Sequence, residues 1–109
     1  KAIPHSCGNL EKVMRDVIEY MRYDGKHSFE DEILAVEDAY LKWGKDIAIL
    51  GGIDLDFIVR SSPEEISKRA KIMLEISQDS GGYALGSGNS FPDYVPVENF
   101  LAVVNSITE

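Results

Sequence analysis

Apolar residues recur every three or four positions in two stretches of the first half of the chain, which is the spacing of a helix face. The first stretch follows Asn9, a helix-capping residue type, and its buried stripe is predicted to comprise Leu10, Val13, Met14, Val17, Ile18 and Met21. The second is predicted to begin at Ser28, which forms a capping-box pattern with Asp31, and to end at Gly44. Its core side would comprise Ile33, Val36, Tyr40 and Trp43.

Two more helices are predicted in the second half of the chain. The stretch "SSPEEI" is the clearest helix start, with Ser62 as the cap, Pro63 at the first helical position and Glu65 completing the capping box. The inward residues of this helix would be Ile66, Ala70, Met73 and Leu74. A closing helix would bury one face made of Phe100, Leu101, Val104 and Ile107, whereas residues 55–59 are predicted to form only a short apolar turn.

Short strand-like segments precede these helices at residues 2–4, 23–27, 47–50 and 83–85. Alternating strands and helices predict a parallel sheet with helices packed on it, so we expect an α/β fold of four βα units. Four units are half of a (β/α)8 TIM barrel. The chain would therefore need a second half, supplied by a homodimer or by a longer protein, and its start at Lys1 rather than methionine agrees with the latter.

Composition narrows the classes of partner and the compartment. The 109 residues fit a single domain, and the formal net charge of −8 disfavours nucleic acid and anionic membrane as partners because the summed field repels phosphates. The apolar runs fall far short of the roughly 20 residues that a membrane span requires. A single cysteine cannot form an internal disulfide, so we expect a reducing compartment, with the cytoplasm as the default.

Polar residues of unusual type follow the predicted strands, where parallel α/β folds bind their ligands. They lie in the loops "HSCGN", "HSFED", "GGIDLD" and "GSGNSFPDY". His5 and Cys7 are two positions apart, so both side chains project to one side of a strand and can converge on Zn²⁺. A further ligand would have to come from His27, Glu30, Asp31, Asp54 or Asn89. The alternative is a buried thiol beside a hydrogen-bonded histidine.

Each of the remaining loop residues can be interpreted either as a ligand-binding residue or as an ordinary structural one. Glu30 would occupy a helix first turn, where carboxylates are favoured by the helix dipole, and Asp54 can be an ordinary helix cap. The loop "GGYALGSGNS" lacks the lysine and spacing of a P-loop and has no GxGxxG pattern. Gly86 and Gly88 are therefore predicted to let the backbone turn over the strand end and approach a ligand or cofactor closely. No GxSxG elbow is present in the sequence.

Together, "PHSCGN", "HSFED", "AILGGIDLD", "SSPEEI", "GGYALGSGNS" and "VPVENF" resemble the successive landmarks of the carboxyl-terminal half of the uroporphyrinogen decarboxylase superfamily. The resemblance covers essentially the whole chain and implies the C-terminal half of a (β/α)8 barrel, residues 1–109. In the superfamily's corrinoid-dependent methyltransferases, zinc is held by an HxC pair, an acidic residue and a later cysteine. These positions correspond to His5, Cys7, Glu30 and Asn89, and the last departs from the pattern because an amide is a poor zinc ligand.

The resemblance implies a methyltransferase that moves a methyl group between a corrinoid (cobalamin) held by a partner protein and a small acceptor. Asp54 and Asn89 would orient the acceptor. The alternative in the same superfamily is metal-free and cofactor-free decarboxylation of uroporphyrinogen in porphyrin biosynthesis, with His5, Asp54 or Asn89 acting on the substrate. A third reading is a half-barrel without catalytic activity that folds only with a partner half.

Overall fold

Parallel strands connected by helices form the frame of this computed structural model, which describes residues 1–108. The strands are β1 Gly25–Lys26, β2 Ala48–Leu50 and β3 Tyr83–Ala84, and the helices are α1 Val36–Trp43, α2 Leu55–Arg60, α3 Pro63–Ser77 and α4 Val97–Asn105. The sheet order is β1-β2-β3, with all neighbours parallel. In register, Gly25 lies opposite Ala48 and Ile49 lies opposite Tyr83.

Residues 2–6 continue the sheet beyond β1. The amide of Asp24 donates to the Ala2 carbonyl at 2.9 Å, and the amide of Ser6 donates to the His27 carbonyl at 2.8 Å. His5 and His27 form a parallel bridge. Four parallel segments therefore lie side by side in chain order across residues 1–108, as the predicted βα units require.

The first helical segment is less regular than its apolar spacing predicts. Glu11–Val13 is a 3₁₀ helix and Asp16–Tyr20 is a π-helix. The number of residues per turn changes along the segment, so positions three and four apart do not stay on one face. The prediction of a single buried stripe is wrong for Val13 and Met21, which are 43% and 57% exposed. The predicted capping residue Asn9 does accept a hydrogen bond from the Glu11 amide, at 3.0 Å.

Helix α1 begins at Val36, eight positions after the predicted start at Ser28. The prediction of a capping box there is wrong because both of its residues have tertiary partners. The buried Ser28 hydroxyl donates to the Gly88 carbonyl, and the Asp31 carboxylate accepts two hydrogen bonds from Arg69. These partners replace the local cap.

The start of helix α3 agrees with the prediction from the local sequence. The capping box of α3 is present, with Ser62 as the cap, Pro63 in the first turn and Glu65 as the reciprocal acceptor. The predicted apolar turn over residues 55–59 is instead helix α2, so that prediction is wrong. Asp54 caps it, because its Oδ2 accepts from the amides of Asp56 at 3.0 Å and Phe57 at 3.3 Å.

Helix α4 presents a different face to the core from the predicted one. Phe100, Leu101, Val104 and Ile107, predicted as buried, are between 40% and 64% exposed. The buried residues are Asn99 and Val103. The Asn99 amide donates to the Ile58 carbonyl at 2.7 Å and the Ser61 carbonyl at 3.2 Å, which satisfies the last turn of α2. This polar contact orients α4 and leaves an outer apolar face made of Val97, Phe100, Leu101, Val104 and Ile107.

Two apolar clusters pack against the sheet, one including residues of α1 and the first helical segment and the other including residues of α2, α3 and α4. Arg69 of α3 connects them, since its guanidinium forms a two-bond pair with Asp31 at 2.6 and 2.8 Å and bonds to Glu37 of α1 at 2.7 Å. It also lies 4.9 Å from the ring centre of Phe57. Within residues 1–108, no helix has both the length and the apolar character needed to cross a bilayer.

The charges in this network shift each other's titration. Burial alone would lower the pKa of Arg69, but its hydrogen bonds to Asp31 and Glu37 outweigh this and raise it. Burial alone would raise the pKa of Glu37, but the hydrogen bond and charge of Arg69 lower it. A carboxylate with a lowered folded-state pKa stabilises the fold fully above its ordinary value of 4.5, and that contribution is lost as the pH falls through the folded value.

We expect Arg69→Met to destabilise the full-length protein by about 2–3 kcal/mol at pH 7, less than a fully buried pair because the side chains are partly exposed. The substitution leaves two carboxylates without their cation. Arg60→Met is the control, because the Arg60–Asp56 pair has side chains 77% and 64% exposed and should contribute about 0–1 kcal/mol. Urea denaturation measures both, and equal losses in the two variants would contradict the role of Arg69.

Gly51 occupies the tightest backbone position at the end of β2. Its φ is +72°, and a Cβ added there would lie 2.3 Å from the Ser87 carbonyl oxygen and 2.8 Å from His27 Nε2. Neighbouring segments therefore approach Gly51 on both sides. Gly81 has a similar φ of +66°, but an added Cβ would meet nothing within 4 Å.

We expect Gly51→Ala to cost more stability than Gly81→Ala. Both substitutions place alanine in the left-handed region, at about 1–2 kcal/mol, and only Gly51→Ala adds overpacking of about 1–3 kcal/mol. The free energies of unfolding of the two full-length variants measure the difference. Equal values would show that the close approach at Gly51 has no energetic consequence.

Candidate functional site

The carboxyl ends of the four parallel segments meet at one edge of the sheet and bring the predicted loops together. A parallel bridge joins Ile53 to Ser87, and the Gly88 amide donates to the Ile53 carbonyl at 2.9 Å. A shallow cleft at this edge is lined by Ser28, Phe29, Glu30, Asp54, Leu55, Gly88 and Asn89. The candidate residues of three loops therefore share one cleft.

His5 and Cys7 lie close together above the first segment. The distance from His5 Nε2 to Cys7 Sγ is 3.8 Å, and the thiol is exposed. Asn89 comes from the last loop, 82 residues later, and its side-chain nitrogen is also 3.8 Å from Cys7 Sγ. His5 and Asn89, which occupy two of the four positions compared with zinc ligands, therefore both contact the thiol of Cys7, which occupies another.

A second histidine lies behind His5. The two Nδ1 atoms of His5 and His27 are 2.7 Å apart, and His27 Nε2 is 3.0 Å from the Ser87 carbonyl oxygen. The sequence names His27 only as one of several further ligands. Its contact with His5 depends on the pairing of two segments 22 residues apart, which no local pattern indicates.

Glu30 and Lys26 provide charge beside the thiol. Glu30 Oε1 accepts from the Gly8 amide at 3.2 Å, next to Cys7 in the chain. Lys26, which the sequence analysis does not single out, is only 3% exposed. Its ammonium group donates to the Ser28 carbonyl and lies 4.1 Å from the centre of the Phe29 ring. Burial lowers the pKa of Lys26, and the negative charges of Cys7 and Glu30 partly offset that effect.

The other predicted residues have clear structural roles. Asp54 caps α2 through Oδ2 while it also lines the cleft. A Cβ added at Gly88 would lie 2.4 Å from the Phe29 carbonyl oxygen, so the close approach predicted for this glycine is to the chain itself. At Gly86 an added Cβ would only touch Gly51 Cα, at 3.5 Å. A cofactor contact at either glycine stays a prediction.

The donors fit two positions of a zinc site. In tetrahedral geometry, a histidine nitrogen and a thiolate sulfur bound to the same Zn²⁺ are about 3.6 Å apart, close to the 3.8 Å between His5 Nε2 and Cys7 Sγ. Over residues 1–108, however, no group of three or more His, Cys, Asp or Glu side chains is arranged to hold a metal. The carboxylate of Glu30 is engaged by Gly8 rather than placed as a third ligand.

Comparisons with known proteins agree with this architecture. Residues 1–109 match the family described as Uroporphyrinogen decarboxylase (URO-D), and no curated protein sequence matches the chain. A methyltransferase from Methanosarcina mazei has a similar solved structure, with a TM-score of 0.67 and 23% identity over 95% of this chain. At this identity the likeness shows the fold alone, and it confirms the predicted α/β half-barrel of four βα units.

The chain spans 29% of the length of that methyltransferase. The activity, substrates and partners of a whole protein therefore do not follow from the match. The family match, in contrast, covers every residue of the chain and includes all four loops at the strand ends. The chain belongs to the uroporphyrinogen decarboxylase (URO-D) family.

Proposed function

We propose that this chain is the C-terminal half-barrel of a corrinoid-dependent methyltransferase that transfers a methyl group between a corrinoid-binding protein and a small acceptor. The observation that carries the proposal is the convergence of His5 Nε2 and Cys7 Sγ at 3.8 Å on the exposed edge of the sheet. An imidazole and a thiol at this distance suit a shared Zn²⁺. The family membership and the fold are consistent with it.

His5 and Cys7 would hold the metal, and Glu30 would complete the set after releasing the Gly8 amide. Bound zinc lowers the pKa of a coordinated thiol or water and so supplies a nucleophile near neutral pH. The exposed position of Cys7 leaves one side of the pair accessible to an acceptor. The apolar wall formed by Phe29 and Leu55 would exclude water from part of the cleft.

Asn89 and Asp54 would orient the acceptor. Asn89 already places its amide at the thiol, where it can donate to an anionic or carbonyl group of the acceptor but is a weak zinc ligand. Asp54 is fixed by its capping bonds, so its carboxylate is a rigid acceptor at the mouth of the cleft. Gly86 and Gly88 would keep the last loop low enough for a corrinoid to approach.

The partners follow from the surfaces that this half-barrel exposes. The corrinoid-binding protein would dock over the strand ends, and the outer apolar face of α4 would pack against the other half of the barrel, supplied by the same protein or by a second copy. Val97 and Ile107, 69% and 64% exposed, lie on that face, and burying such side chains contributes about 1.5–3 kcal/mol each. We place the protein in the cytoplasm, where Cys7 stays reduced.

Metal-free decarboxylation of uroporphyrinogen is the alternative within the family. It requires cationic side chains for a substrate with many carboxylates. Three of the four arginines of this chain are already paired with carboxylates: Arg15 with Glu19, Arg60 with Asp56, and Arg69 with Asp31 and Glu37. The pairing of these arginines supports the methyltransferase over the decarboxylase.

We expect the full-length protein to bind about one zinc per chain, and Cys7→Ser to lose stoichiometric zinc and methyl transfer from methylcobalamin to a thiol. Ser6→Ala is the matched control, because Ser6 lies between the two donors in sequence and bonds only to the Cys7 carbonyl through its side chain. Elemental analysis and a methylcobalamin assay with and without a chelator measure both.

Zinc-free protein together with full methyl transfer by Cys7→Ser would overturn the mechanism. Conversion of a porphyrinogen that is insensitive to chelators and to Cys7→Ser would instead establish the decarboxylase. Loss of zinc in Ser6→Ala to the same extent as in Cys7→Ser would show that the loop, and not the thiolate, determines metal binding.

A further inference from the structure

A continuous chain of polar atoms connects the last loop of the cleft to the thiol. It runs from the Ser87 carbonyl oxygen to His27 Nε2 at 3.0 Å, from His27 Nδ1 to His5 Nδ1 at 2.7 Å, and from His5 Nε2 to Cys7 Sγ at 3.8 Å. The two imidazole rings are 4.9 Å apart, with 32° between their planes. Each of the four ring nitrogens of the two histidines makes one of these contacts.

The Ser87 carbonyl determines which atom donates in each of these hydrogen bonds. A backbone carbonyl can only accept, so the proton of His27 must be on Nε2. A neutral imidazole carries one N–H, which leaves His27 Nδ1 as an acceptor. The His5 Nδ1 that faces it at 2.7 Å must then be the donor. His5 therefore carries its proton on Nδ1, and its Nε2 has a free lone pair on the side of Cys7.

We propose that His27 is a positioning residue that fixes the Nδ1–H tautomer of His5 and aims the Nε2 lone pair at the Cys7 side of the cleft. Histidines that bind metals generally have their second ring nitrogen held in this way by an outer partner. In this chain the outer partner is a second imidazole, and that imidazole is itself anchored by the Ser87 carbonyl. The effect of His27 on zinc binding rests on the proposed function, whereas its effect on the tautomer of His5 does not.

The position of His27 supports this role over that of a zinc ligand. Both of its nitrogens are engaged, Nδ1 by His5 and Nε2 by Ser87, so neither is available to a metal without breaking the chain of contacts. Gly51 lies close to the same nitrogen, since a Cβ added there would be 2.8 Å from His27 Nε2. Backbone packing thus holds the ring in place from the side opposite His5.

Two amide substitutions separate the contacts that His27 makes. In His27→Asn the side-chain oxygen can occupy the place of Nδ1 and accept from His5, but the bond to Ser87 is lost. In His27→Gln the side-chain nitrogen can occupy the place of Nε2 and donate to Ser87, but the acceptor for His5 is lost. If the role of His27 were purely structural, its important contact would be the hydrogen bond to the Ser87 carbonyl in the last loop. His27→Gln would preserve that contact better than His27→Asn.

The experiment uses full-length protein with ¹⁵N-labelled histidine in the metal-free state, together with zinc titration against a competing chelator. We expect the Nδ1–H tautomer of His5 in wild type and His27→Asn, and a mixture of tautomers in His27→Gln. Zinc affinity should fall about 10–100-fold in His27→Gln, the usual cost of losing an outer partner, and much less in His27→Asn. Melting temperatures check that both variants are folded.

An Nε2–H tautomer of His5 in wild type would overturn the proposal, as would equal tautomer ratios in the two variants. The two hypotheses fail separately. If wild type binds no zinc but His5 shows the Nδ1–H form that only His27→Gln disturbs, the positioning role stands and the proposed zinc function fails. If zinc binds and both variants keep wild-type affinity and tautomer, the zinc site stands and the role of His27 fails.

Discussion

The parallel register of the four strand segments is the constraint on which the site depends. His5 lies opposite His27, and Ile53 lies opposite Ser87. A shift of one residue in a strand moves every side chain to the other face, so a slipped first segment would turn Ser6 toward the cleft and both His5 and Cys7 away from it. The contacts among His5, Cys7, His27 and Ser87 therefore exist in one register alone.

Strands of two or three residues cannot hold a register by backbone pairing alone, and buried polar side chains supplement it. Ser28 bonds to the Gly88 carbonyl, and Lys26 bonds to the Ser28 carbonyl. Such groups must be hydrogen-bonded to be tolerated in the interior. Among the described residues, every buried side-chain nitrogen or oxygen atom has a partner. A shift in register would leave several of these groups without a hydrogen-bond partner. These hydrogen bonds therefore stabilise the correct register together.

Local rules predict the parts of the fold that are decided within a few residues. The run before Gly51-Gly52 becomes β2, and the Ser62 capping box starts α3. The errors occur where a distant partner decides the outcome. The two residues of the predicted capping box, Ser28 and Asp31, form hydrogen bonds with Gly88 and Arg69 instead. The hydrogen bonds from Asn99 to the end of α2 determine which face of α4 is buried. The apolar spacing of α4 alone selects the wrong face.

The same distinction applies to the site. The convergence of His5 and Cys7 follows from a two-residue spacing on one strand and is visible in sequence. The contact of His5 with His27 and the burial of Lys26 depend on strand pairing, and neither leaves a sequence signal beyond the position of these residues at a strand end. Sequence reasoning thus finds the atoms that could bind a ligand but not those that orient them.

Lys26 explains how two potential anions can lie side by side in a chain whose net charge is already −8. The Cys7 thiolate and the Glu30 carboxylate would repel each other at the strand ends, and a cation beneath them offsets that repulsion. Burial opposes the charge on Lys26, and the same two groups favour it. These two groups therefore offset part of the cost of burying the Lys26 cation. The ammonium group is confined by the Ser28 carbonyl and the Phe29 ring, so it leaves free the exposed side of the thiol, where the proposed acceptor would approach.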